Sequence, residues 1–202
     1  MNFFKSILIK ILKKIHNYRL KKFKKIYSFI LDDFKISFID IGASIQIIQR
    51  WKKIDKRNLN YHLFEPNQKE AKKLLKNKVF YDDYQVYGFA LSNKNETRKL
   101  FITKGIYQSS FLKPNHNFLN KFTNSNRYKI SKINKVKAKK LDHIIMGKPD
   151  FIKIDVQGFN YEILEGSSRT LKNTLGIDIE VDFQEIYQKE ILFGKIDEFL
   201  NN

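Results

Sequence analysis

Five carboxylates fall at the ends of segments that read as buried strands: Asp40, Glu65, Asp155, Glu180 and Asp182. Acids are the minority charge in this chain, 21 against 39 basic residues. Their collection along one edge of a predicted sheet is therefore informative. A carboxylate there can accept hydrogen bonds from vicinal hydroxyls, face a cationic ligand or take up a proton. Singly, each acid reads equally well as a helix cap or turn residue. Together they read as a site.

The organising stretch is Phe38-Ile39-Asp40-Ile41-Gly42-Ala43-Ser44. Its apolar, β-branched start is that of a buried parallel strand. A glycine turn follows, then a helical pattern over residues 45–53. A new helix offers free N–H groups, and small residues let a ligand approach. The interval from Gly42 to Glu65 is a little over twenty residues. That is the spacing from a glycine cradle to the acid that holds ribose hydroxyls in nucleotide-binding βαβ units. Neither Gly-x-Gly-x-x-Gly nor a phosphate loop is present. A cradle flanked by acids favours a cationic ligand over a pyrophosphate, and S-adenosylmethionine combines a ribose, an adenine and a sulfonium. The four histidines, His16, His62, His116 and His143, show no ligand spacing, and no metal is expected.

These residues must be positioned by alternating strands and helices. Predicted strands are 36–41, 61–65, 85–90, 150–155 and 175–181, with Arg98–Thr103 as an antiparallel addition and a short strand over 133–138. Predicted helices are 68–77, from Gly158 to about Leu171, and 191–200. Residues 104–132 are polar and read as a long substrate loop or lid. The fold class is α/β: a Rossmann-like, mostly parallel sheet with helices on both faces.

With 202 residues, 42% of them hydrophobic, the chain can fill one core. The absence of cysteine excludes disulfides and thiolate metal sites. The net charge of +18 admits a nucleic-acid or anionic-membrane partner. A lysine- and asparagine-rich composition accounts for it as well, and no platform of arginine and aromatic residues is visible. Residues 2–31 form a basic amphipathic segment, with Phe4, Leu8, Ile11, Ile15 and Tyr18 on one helical face. It is not apolar enough to span a bilayer. It reads as docked on the domain or lying on an anionic leaflet. Residues 1–34 are thus assigned to this segment and 35–202 to the α/β domain. The expected location is the cytoplasm, with contact at the inner membrane surface left open.

The motifs Asp40-Ile41-Gly42-Ala43-Ser44, Phe64-Glu65-Pro66-Asn67, Ala90-Leu91-Ser92, Ser109-Ser110-Phe111, Leu141-Asp142 and Ile152-Lys153-Ile154-Asp155-Val156-Gln157-Gly158 occur in a telling order. Tyr161–Gly166 and Ile179-Glu180-Val181 with Tyr187 extend the series. Over about residues 36–199 the chain resembles FkbM-type S-adenosylmethionine-dependent methyltransferases. The resemblance implies a seven-stranded Rossmann-like core. It implies that Asp40, Gly42, Ala43 and Ser44 line the methionine part of the cofactor, that Glu65 holds the ribose, and that Phe89 and Ala90 lie near the adenine. It places Asp155 at the methyl group and acceptor, as base or orienting group, with Glu180 next to it. The implied reaction is O-methylation of a sugar, glycan or small metabolite.

The chain departs from the family pattern at Ser44, where Asn is usual, at Gln46, where Gly is usual, and at Asn160, where Glu is frequent. The family also continues into two further strands. A product ending at Asn202 would be truncated, or its sheet edge beside 175–181 would be covered by a partner. Two rival readings follow: a catalytically decayed relative, and a basic nucleic-acid-binding protein on an α/β scaffold.

Overall fold

In the computed structural model of the chain, the described residues are 2–31, 34–43, 54–76, 83–144 and 147–201. The predicted helix over 45–53, with Ser44 and Gln46, lies outside them. Five strands form one parallel sheet: β1 (Ile36–Ile41), β2 (Leu59–Phe64), β3 (Asp83–Tyr87), β7 (Phe151–Ile154) and β8 (Gly176–Ile179). Their spatial order is β3-β2-β1-β7-β8.

The register explains the composition of these strands. Phe38, Ile39, Asp40 and Ile41 pair with Tyr61, His62, Leu63 and Phe64 on one side. On the other side they pair with Phe151, Ile152, Lys153 and Ile154. A central parallel strand is covered on both faces, so both alternating sets must be apolar. Ile39, Ile41, Phe64, Ile152 and Ile154 build one core with Phe159, Ile163, Leu164 and Ile196. Phe38, Tyr61 and Leu63 build the other with Leu59, Ala43 and Leu74. The first core is closed by α4 (Asn160–Glu165) and α6 (Phe193–Leu200), and the second by α2 (Gln68–Lys76). Helices on both faces of a parallel sheet are the Rossmann-like arrangement expected.

Among the described residues the parallel sheet has five strands. Three details differ from expectation. Arg98–Thr103 belongs to β5 (Glu96–Thr103), which pairs antiparallel with β6 (Ile130–Lys139) in a separate sheet. That sheet is completed by β4 (Ala90–Leu91), parallel to β6. The predicted strand over 85–90 is therefore two strands. It breaks at Gly88 and Phe89, and Ala90 starts the second sheet. The helix from Gly158 to Leu171 is likewise divided, into α4 and α5 (Ser168–Leu171), at Gly166 and Ser167. A Cβ on Gly166 would lie 2.1 Å from the Ser92 carbonyl oxygen. The turn packs against the backbone just after β4.

Residues 104–132 are not an unstructured loop. They contain 3-10 turns at Ile106–Gln108 and Ser125–Tyr128 and a short helix, α3 (His116–Leu119). Leu119, Tyr128 and Tyr187 form a small core of their own. The longest helix, α1 (Asn2–Leu31), precedes the sheet. No described helix is long and apolar enough to cross a membrane.

Candidate active site at the switch point of the sheet

The chain leaves β1 toward β2 in one direction along the sheet and leaves β7 toward β8 in the other. The carboxyl ends of β1 and β7 therefore flank the crevice where open α/β sheets bind ligands. Gly42 follows β1 and Asp155 follows β7. Gly42 has φ +77°, and a Cβ there would lie 2.0 Å from the Asp155 carbonyl oxygen. This contact demands glycine whatever is bound. The Gly42 and Ala43 amides both donate to the Phe64 carbonyl, at 3.0 and 3.1 Å. They join β1 to β2; the helix start expected to offer free N–H groups lies outside the described residues.

A cleft of about 400 Å³ opens at these strand ends. Ile41, Phe64, Ala90, Leu91 and Leu100 supply apolar wall, and Glu65, Asn67, Asp155 and Gln157 supply polar groups. The segment Ile106–Phe111 closes one side. Most enclosed small-molecule sites have this composition: apolar walls and a few convergent polar atoms.

Glu65 stands at the end of β2. Its Oε1 accepts the Asn67 N–H at 2.7 Å, and Asn67 Oδ1 in turn caps α2 by accepting the Lys69 N–H. Burial pushes the Glu65 carboxyl up to about 7, against the pull of that hydrogen bond. It therefore changes charge near neutrality.

Lys153 organises the opposite wall. It is the one cation in Phe151–Ile154, on the same face as Asp40. Its ammonium lies 3.2 Å from Asp40 Oδ1, out of line for a hydrogen bond, and 3.4 Å from Asp155 Oδ2. It also donates to the Gly42 carbonyl at 3.3 Å. Burial disfavours its charge, but the two carboxylates outweigh this and hold it protonated above its ordinary value. Asp40 is almost fully buried, and burial raises its pKa while Lys153 opposes the rise. Asp40 does not line the cleft; it supports Lys153 from behind.

Asp155 and Glu180 meet at the end of β7 and β8. Gln157 bridges them, its Nε2 donating to Asp155 Oδ1 at 3.0 Å and to Glu180 Oε2 at 2.9 Å. Burial works against the Asp155 charge, but Lys153 and the hydrogen bonds from Glu180 and Gln157 leave its pKa below the usual value. Glu180 shifts the other way, to about 8, through loss of solvation and the adjoining Asp155. Its outer surface remains exposed. Near pH 7 the pair shares one proton and one negative charge.

Gln157 takes a left-handed conformation, φ 57°, ahead of Gly158 at φ 84°. A residue with a Cβ seldom sits there. The turn is fixed on all sides. Asn160 Oδ1 accepts the Val156 N–H and its Nδ2 donates to the Glu180 carbonyl. Ser110 Oγ donates to the Gln157 carbonyl at 2.6 Å. The Tyr187 hydroxyl lies 3.1 Å from Gln157 Oε1 and 3.0 Å from the Gln108 carbonyl.

Of the residues expected at the site, Gly42, Ala43, Glu65, Ala90 and Asp155 line the cleft. Glu180 reaches it through Gln157. Phe89 does not line it; its ring packs on Phe64 and Tyr87 with Lys139 above it at 4.6 Å. Lys153, Gln157 and Tyr187 were given no role from sequence. A lone lysine in an apolar strand, two residues before a strand-end acid, was the available signal for the first.

The family model for the methyltransferase FkbM domain matches residues 26–202. Among solved structures, a crystal structure of a methyltransferase FkbM from Methylobacillus flagellatus KT is similar, with TM-score 0.51 and 15% identity. The match covers 83% of this chain and 37% of that one, so the chain spans little more than a third of its neighbour's length. No curated protein was matched.

Proposed function

Since the chain belongs to the FkbM methyltransferase domain family, we propose that it transfers a methyl group from S-adenosylmethionine to a hydroxyl of a sugar, glycan or small metabolite. The observation that carries this is the pairing, across one cleft, of Glu65 at the end of β2 with the Asp155–Glu180 pair at the ends of β7 and β8. The residues fit such a cofactor in size and chemistry. The cleft is about 400 Å³, within the usual range for small-molecule sites. Its apolar wall suits an adenine, Glu65 suits ribose hydroxyls, and Asp155 is a negative charge suited to a sulfonium. When bound, S-adenosylmethionine supplies an electrophilic methyl group.

The chain's own part is positioning and proton handling. Asp155, ionised beside Lys153, orients the acceptor hydroxyl by accepting its hydrogen bond. As the hydroxyl loses its proton, the Asp155–Glu180 pair receives it, and Gln157 holds the two carboxyls together. Gln108 and Ser109 offer polar contacts on the acceptor side.

Calorimetric titration of the full chain with S-adenosylmethionine and S-adenosylhomocysteine tests this. Saturable one-site binding of both is expected. Absence of heat with either, together with salt-sensitive binding to random RNA, would establish the nucleic-acid reading instead.

A further inference from the structure

Helix α1 has features that methyl transfer does not use. Its residues Asn2–Leu31 include nine basic side chains and no acid. At 3.6 residues per turn, Ile11, Leu12, Ile15, Tyr18, Ile26 and Phe29 fall within an arc of about 120°. All six are between 44% and 87% exposed. Lys10, Lys13, Lys14, Lys21, Lys24 and Lys25 occupy a separate arc of about 120° on the other side. An exposed apolar stripe of this length has an unfavourable contact with water.

We propose that α1 lies in the plane of an anionic bilayer surface, its apolar stripe in the acyl boundary and its lysines at the headgroups. The helix is too polar to cross the bilayer, which is the property of an interfacial helix. Charge complementarity selects the occupant. Nucleic acid would satisfy the lysines and leave the stripe wet. A second copy would cover the stripe but bury Arg19 and Lys22, which interrupt it between Tyr18 and Ile26. On a bilayer these long stems let the charges reach the headgroups, and each basic residue near an anionic surface adds attraction.

The test is co-sedimentation of the full chain with vesicles of phosphatidylcholine alone or with one quarter phosphatidylglycerol. Binding to the anionic vesicles is expected at least about ten-fold above the neutral ones, and to fall in high salt. Ile11→Asp with Ile15→Asp, and separately Lys13→Glu with Lys14→Glu, should each lower it about ten-fold or more. Their circular dichroism and cofactor binding should be unchanged. Equal binding to both vesicle types, or variants that bind like the wild type, would overturn the proposal. So would a dimer in sedimentation velocity, or RNA binding, without vesicle binding.

Discussion

At the scale of single residues, Lys153 opposes the effect of burial on the two carboxylates beside it. Lys153 lies within 3.4 Å of both Asp40 and Asp155. Removing the Asp155 charge would leave the buried ammonium with Asp40 and remove the negative group facing the acceptor. Asp155→Asn is expected to abolish turnover while leaving affinity for S-adenosylhomocysteine, which has no sulfonium charge, within a few fold, read by calorimetry beside a methylation assay. Wild-type turnover in this variant would remove Asp155 from the chemistry. Glu65 makes a pH-dependent prediction. Its carboxyl is raised to about 7 from 4.5, so the folded protein favours the protonated form. That stabilisation is fully present below about 4.5 and is lost as pH rises through about 7, an effect on the order of 3 kcal/mol. Cofactor affinity should run the opposite way, because the ionised form accepts the stronger hydrogen bonds. Binding should tighten between pH 6 and 8. In Glu65→Gln it should be about ten-fold weaker at pH 8 and nearly flat with pH.

At the scale of elements, the site is a junction of three segments brought to one turn. The β7–α4 turn carries Gln157 and Gly158. The segment 106–111 reaches it through Ser110, and the segment after β8 reaches it through Tyr187. A Cβ at Gly158 would lie 2.7 Å from Glu190 Oε1, so the left-handed turn and the closely packed 187–190 segment require each other. Glu190 is buried and accepts the Tyr187 N–H; burial and its hydrogen bond with Asp182 raise its carboxyl to about 8. The Tyr187 hydroxyl is a second link, beside Ser110, between Gln157 and the 106–111 segment. Tyr187→Phe should keep the fold, raise KM for the acceptor several-fold and change kcat less, because it loosens a wall without touching the carboxylates. Equal falls in kcat and kcat/KM with unchanged KM would show instead that Tyr187 acts on the chemical step.

At the scale of the whole molecule, a charge of +18 on 202 residues opposes compaction. The attraction available is local: ion pairs such as Lys35–Asp83 and Arg98–Glu96 are partly or largely exposed and individually weak. Screening the excess should help the folded state more than it weakens these pairs. The thermal midpoint, followed by circular dichroism, is expected to rise by a few degrees between about 20 and 200 mM salt. A falling midpoint would mean that specific pairs outweigh the general repulsion.

Much of this was legible from sequence because it rests on local patterning. Buried parallel strands are largely apolar on both faces, so 36–41, 61–65 and 150–155 declared themselves as strands, and the acids closing such runs marked the edge where the cleft lies. The family motifs fixed their order and implied Glu65 and Asp155 in the cleft, where they stand. Other features depended on residues far apart in the chain. Gly88 and Phe89 break one apolar run into strands of two sheets because Ala90 pairs with Ala138. Phe89 turns to Phe64 and Tyr87 because that stack is available. The polar segment 104–132 becomes ordered because Tyr187 and Gln157, many residues later, hold it. Spacing could put carboxylates at one rim, but protonation depends on distance and solvation. Only the folded chain brings Lys153 between Asp40 and Asp155 and places Gln157 between Asp155 and Glu180, pushing the pKa of one acid down and that of its neighbour up.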